Sequence, residues 1–245
     1  MKVDAIEKIE KLVKDSLVVS VAGQEYTASG LKPVLYVPRP PTVKVHNLRG
    51  FCGFVNNDID KLIKGQPHLI VVNSPKSVEL ISSVNGDDKK RTVFVEAELD
   101  PELQKFPFGQ FMPQEEFAIR FRSLFVQKKG DDSEYVLAYA SKLVGGAEII
   151  IEDDGVTQKV QTKKGVSGAL KESVALKPIV RLSPYRTFRE VEQPESEFVF
   201  RARMNEGEAP KVALFEADGG AWINQATENI VEYIKAINGD IPVIA

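Results

Sequence analysis

The side chains with the greatest chemical reach in this chain are five arginines, Arg181, Arg186, Arg189, Arg201 and Arg203, all within 23 residues. A guanidinium is permanently charged, and its planar fork of donors matches phosphates and carboxylates two bonds at a time. Strand side chains repeat every two residues, so Arg201 and Arg203 share a face. If Arg181 reaches that face, the sheet becomes a surface for nucleic acid, a nucleotide or an acidic partner. Glutamates such as Glu190, Glu197 and Glu216 stand among these arginines, and cross-strand ion pairing is the competing use.

Glu96 and Glu98 also share a strand face, with Asp100 just beyond. Such a group could place oxygens on a magnesium ion, as a metal-dependent hydrolase needs. A solvated face ending in a charged turn is the simpler expectation. Cys52 is the single cysteine. It excludes a disulfide or a multi-thiolate centre within one chain. It lies in an apolar helical stripe, where a thiol acts as a small hydrophobe. Only His46 and His68 could serve as imidazole bases. No phosphate-binding GxxxxGK[ST] loop occurs, and Gly50-Phe51-Cys52-Gly53 falls inside a predicted helix. No assembled catalytic set and no cofactor are therefore expected.

The elements that would position these groups follow from periodicity. With 32 basic and 35 acidic residues the formal charge is −3, and 43% of residues are hydrophobic. That is a globular balance without a global pull toward polyanions. No apolar run approaches a bilayer span, and charges interrupt Met1 to Lys8, so neither a membrane partner nor a secretory leader is expected. The expected place is the cytoplasm.

Ile6, Ile9, Leu12 and Val13 recur at helical spacing, and a hairpin follows around Ala22-Gly23, so the opening segment reads as a cap on a core. Prolines 33, 38, 40 and 41 predict an extended connector. Thr42–His46 reads as a strand. Asn47 caps a helix whose stripe runs through Leu48, Phe51, Cys52, Val55, Ile59, Leu62 and Ile63. Strands at 68–73, 77–84 and 90–98 form a meander. Phe117, Phe121, Leu124 and Phe125 mark one helix and Val136, Leu137, Ala140 and Leu143 another, together a central helical hairpin.

Strands return at 148–152 and 156–162 around Asp153-Asp154-Gly155, with Lys163–Gly168 beyond. A strand at 174–182 is interrupted by Pro178, as at an edge or bulge. Strands at 198–204 and 211–217 follow. The C-terminal helix, 221–237, carries Ile223, Ala226, Ile230, Ile234 and Ile237, with Trp222 at its start as an interface candidate. The predicted class is α+β: mainly antiparallel sheets, meander and hairpins, with about five helices. It divides as 1–105 and 106–245, or forms one continuous domain.

The central stretch Phe106-Pro107-Phe108-Gly109 through Gln114–Ile119, the run from Pro178 to Arg189, Phe198–Arg203 and the terminal helix together resemble the YfdQ-like family of phage- and prophage-encoded proteins. The resemblance implies a bacteriophage or prophage origin and an accessory role in the cytoplasm of an infected or lysogenic bacterium. It carries over no catalytic residues. The first functional expectation is a non-enzymatic accessory protein that self-associates into a homo-oligomer through exposed strand edges and acts by protein contacts. The alternative is a nucleic-acid- or nucleotide-binding protein of recombination, replication or counter-defence, using the arginine-bearing sheet. A metal-dependent hydrolase built on Glu96, Glu98 and Asp100 is the third.

Overall fold

The computed structural model describes residues 3–21, 23–27, 32–33, 39–86, 89–142, 148–153, 158–163, 171–175, 177–203 and 210–245. These residues form five helices and four sheets, an α+β fold with mostly antiparallel pairing. Alternation of apolar and polar side chains from His68 to Glu98 builds the first lobe. The opening helix α1 (Val3–Ser16) precedes a small antiparallel sheet of β1 (Val18–Val21), β2 (Gln24–Thr27) and β3 (Lys32–Pro33). Next come β4 (Val43–Val45), helix α2 (Leu48–Asn57), and the meander of β5 (His68–Ser74), β6 (Ser77–Ser82) and β7 (Val93–Glu98).

The second lobe begins with β8 (Met112–Pro113), α3 (Gln114–Leu124), β9 (Phe125–Val126) and α4 (Ser133–Lys142). A separate antiparallel sheet contains β10 (Glu148–Asp153), β11 (Gln158–Lys163) and β12 (Lys171–Ala175). The chain then adds β13 (Ile179–Pro184), β14 (Ser196–Arg203) and β15 (Lys211–Glu216) to the second lobe. It ends with α5 (Trp222–Ile237) and β16 (Val243–Ile244), which return to the first.

In the first lobe the strand order is β16-β5-β6-β7-β4, with β16 and β4 pairing parallel at the two edges. Both helices bury their stripes on this sheet: Leu48, Phe51, Cys52 and Val55 from α2 and Ile230 and Ile234 from α5 meet Ile70, Val72, Val78, Leu80, Val95 and Ala97. In the second lobe the order is β8-β15-β14-β13-β9, and Phe117, Phe121 and Leu124 of α3 with Val136 and Ala140 of α4 cover its inner face. Phenylalanines dominate that core. Phe121 and Phe125 stack with centroids 4.3 Å apart, and Phe106 meets Phe117 and Phe125 edge-on. Offset and edge-on arrangements suit the aromatic quadrupole.

Four expectations are corrected. Helix α2 stops at Asn57, because Asp58 adopts φ 41° and its carboxylate accepts the amides of Leu62, Ile63 and Lys64, each at 2.9 Å. Ile63 remains buried, but Ile59 is 83% exposed. The predicted strand over 174–182 is two strands in different sheets, separated at Lys177-Pro178. Pro178 has no amide to continue a ladder, and the Lys177 amide donates to Tyr135 Oη. At α5 only Ala226, Ile230 and Ile234 of the predicted stripe are buried, with Ile223 and Ile237 exposed at the ends. The opening segment does not cap a core: Ile6, Ile9, Leu12 and Val13 of α1 and Val18, Val19 and Val21 of β1 are exposed. Ala22, Pro38, Leu143, Asp154, Gly155, Met204 and the stretch 164–168 lie outside the described residues. Among the described residues no helix is long and apolar enough to cross a membrane.

Candidate functional sites between and on the lobes

The loop from Tyr185 to Glu195, between β13 and β14, joins the lobes. Phe188 and Val191 insert into the core of the first lobe, and Thr187 Oγ1 donates to Pro75 O there. The Tyr185 amide donates to Leu124 O in the second lobe. The side chain of Gln193, 3% exposed, holds this loop in shape. Its Oε1 accepts from the Arg186 and Thr187 amides, and its Nε2 donates to the Phe188 and Val191 carbonyls. All its polar atoms are satisfied, as burial requires.

Arg186 projects from this loop into the lobe interface. Its side chain is 9% exposed. Nη1 donates to Glu216 Oε1 at 2.6 Å and Nη2 to Ser196 Oγ. The guanidinium lies 4.2 Å from the Trp222 ring centroid, with Phe198 and Phe108 at 5.5 and 5.8 Å. Trp222 is held there by the Asp218-Gly219-Gly220 turn, whose glycines sit at φ 62° and 85°. This left-handed region favours glycine. Asp218 Oδ1 accepts the Gly220 amide.

A cleft of about 580 Å³ opens at this interface. The 99–106 segment after β7 and the Lys76 turn form one side, and Leu124, Pro184–Thr187 and Trp222 form the other. Its wall includes Leu103, Phe106, Phe108 and Trp222, and its cations are Lys76, Lys105, Arg186 and Arg189. Burial lowers the pKa of the Lys76 ammonium, reinforced by the positive charges of Lys105 and Arg186. Arg189 stacks 4.7 Å over the Tyr185 ring.

The predicted arginines thus divide between two places. Arg186 and Arg189 reach the cleft together with Trp222. Arg181, Arg201 and Arg203 share the outer face of the second-lobe sheet. Arg181 stands opposite Glu197 in the register, and Arg201 and Arg203 follow Glu197 at even spacing along β14. Arg181 Nη2 lies 3.2 Å from Glu197. Arg203 stands directly opposite Lys211 and lies 6.0 Å from the Phe111 ring.

Glu96 and Glu98 do share one face of β7, but Glu96 pairs with Lys44 at 3.3 Å on the neighbouring strand. The Glu98 carbonyl is hydrogen-bonded by His46 Nδ1. Asp100 accepts the Glu102 amide and lines the cleft. Among the described residues no three His, Cys, Asp or Glu side chains gather as a metal-binding group. Burial, then the charge of Glu190, pushes the Cys52 thiol up to about 11, so it stays protonated at neutral pH.

Sequence reasoning missed Lys76, Lys105 and Phe108 as parts of one site, since they reach it from segments distant in the chain. The signals available were the residue types of Arg186, Arg189 and the lone tryptophan after a Gly-Gly turn. Compared with family models, curated proteins and solved structures, the chain matches none.

Proposed function

We propose that this is a non-enzymatic binding protein that works as a homo-oligomer, with α1 pairing against α1 of a second copy. The observation carrying this reading is the uncovered apolar stripe of α1, where Ile6, Ile9, Leu12 and Val13 are 48–62% exposed. A row of aliphatic side chains on one helix face normally finds a partner. A second copy of the same helix, set antiparallel, can lay its own stripe against this one. A two-fold axis generates such a self-complementary contact. The setting that the sequence resemblance implies, a phage or prophage accessory protein in a bacterial cytoplasm, is compatible with this role. Light scattering across micromolar concentrations tests it.

A second reading is favoured by the outer face of the second-lobe sheet. Arg203 stands directly across from Lys211, so two basic residues meet on this face. Arg181 and Arg201 extend the same face. This supports binding of nucleic acid, with phosphates contacting the guanidinium groups.

A further inference from the structure

The interlobe cleft has features that assembly through α1 does not use. Its volume, about 580 Å³, lies in the range of small-molecule sites. Aromatic and aliphatic side chains, Phe106, Phe108, Leu103 and Trp222, form an apolar wall. Four cations, Lys76, Lys105, Arg186 and Arg189, outnumber the three carboxylates Asp100, Glu102 and Glu216 along it. Glu216 is engaged by Arg186 and Asp100 by the Glu102 amide. Lys76 and Lys105 form no salt bridge among the described residues, and Arg189 lines the same cleft. The buried Nε of Arg186 also has no hydrogen-bond partner among the described residues. The charges of Lys105 and Arg186 bear on Lys76, and Glu216 offsets part of their effect, so an anion placed between the two lysines is favoured.

We infer that this cleft binds a small organic anion carrying a flat ring, with the ring against Phe108 and Trp222 and the anionic group between Lys76 and Lys105. The ring gains apolar burial and stacking on a rigid wall. The anionic group gains charge-assisted hydrogen bonds from the two ammonium groups. A nucleoside monophosphate and an aromatic carboxylate both meet this description, and they differ in the geometry of the anionic group.

Trp222 is the chain's only tryptophan and lines the cleft, so its fluorescence reports occupancy. The intact protein is titrated with adenosine monophosphate, benzoate, adenosine and inorganic phosphate, and calorimetry is run in parallel. Saturable binding of adenosine monophosphate or of benzoate is expected, whichever wins identifying the phosphate or the carboxylate source. Adenosine and inorganic phosphate should bind about tenfold more weakly or worse, each lacking half of the recognised chemistry. Lys76→Ala combined with Lys105→Ala should weaken the preferred anion by about tenfold while circular dichroism and melting are unchanged. Both lysines are exposed at the rim, so their removal leaves the Arg186 contacts in place. Absence of binding by both anions to about millimolar would overturn the inference. So would adenosine binding as tightly as its monophosphate, or a lysine double variant binding as the wild type does.

Discussion

The guanidinium of Arg186 lies over Trp222, 4.2 Å from its ring centroid, and joins the loop of one lobe to the helix of the other. The pair explains why α5, although its stripe packs on the first lobe, begins against the second. Burial draws the Arg186 pKa down and Glu216 opposes this, yet arginine stays charged at any working pH. Arg186→Ala removes a stacked, ion-paired group and leaves a void among Trp222, Phe198 and Phe108. A loss of about 2 kcal/mol in urea denaturation is predicted. Arg186→Lys should recover less than half of that, since an ammonium cannot serve Glu216, Ser196 and the ring face together.

Gln193 is the second structural post. Gln193→Ala would take away the side chain that pairs the Arg186 and Thr187 amides and the Val191 carbonyl, while Phe188 O keeps only the Val191 amide. Destabilisation of about 2 kcal/mol is expected, with faster amide exchange confined at first to residues 185–193.

Asp58 supplies the clearest pH dependence. The amides of Lys64, Ile63 and Leu62 hold its carboxyl below the usual aspartate range. Its folded pKa is therefore lower than its unfolded one. The stabilising contribution is complete above the unfolded value of about 3.9 and vanishes as pH falls through the folded value. Melting temperatures of wild type and Asp58→Asn should differ at neutral pH and converge in acid. A gap that widens on acidification would contradict this account of the loop.

Cys52, buried and 3% exposed, should resist iodoacetamide in the folded protein near pH 8 and react fully once guanidinium unfolds it. Mass spectrometry distinguishes the two. Rapid labelling of the native state would show that the α2 stripe opens readily.

If the outer face of the second-lobe sheet binds nucleic acid, Arg201→Ala with Arg203→Ala should lower affinity for single-stranded oligonucleotides. The salt slope should fall by about 1–2. An unchanged slope removes that surface from consideration.

Much of this fold was legible because it is local. The β5–β7 meander, the Asn47 cap on α2 and the alternation of Phe198, Phe200 and Ala202 follow from period and turn chemistry alone. What escaped is non-local. The end of α2 depends on an aspartate closing a loop onto amides four to six residues ahead. The edge strand β16 is two residues long and exists only because β5 offers it a parallel edge. The cleft was half visible: Arg186, Arg189 and Trp222 stood out by residue type. Their meeting with Lys76 and Phe108 is set by how the 185–195 loop bridges two cores, and no spacing in the sequence encodes it.

Assembly through α1 is tested most directly by light scattering on the purified chain. A mass that is a multiple of the 27.2 kDa protomer is predicted, falling to one protomer in Ile9→Glu combined with Leu12→Glu while the melting of the two lobes is retained. A strict 27.2 kDa monomer across micromolar concentrations, or a double variant that assembles as the wild type does, would contradict it.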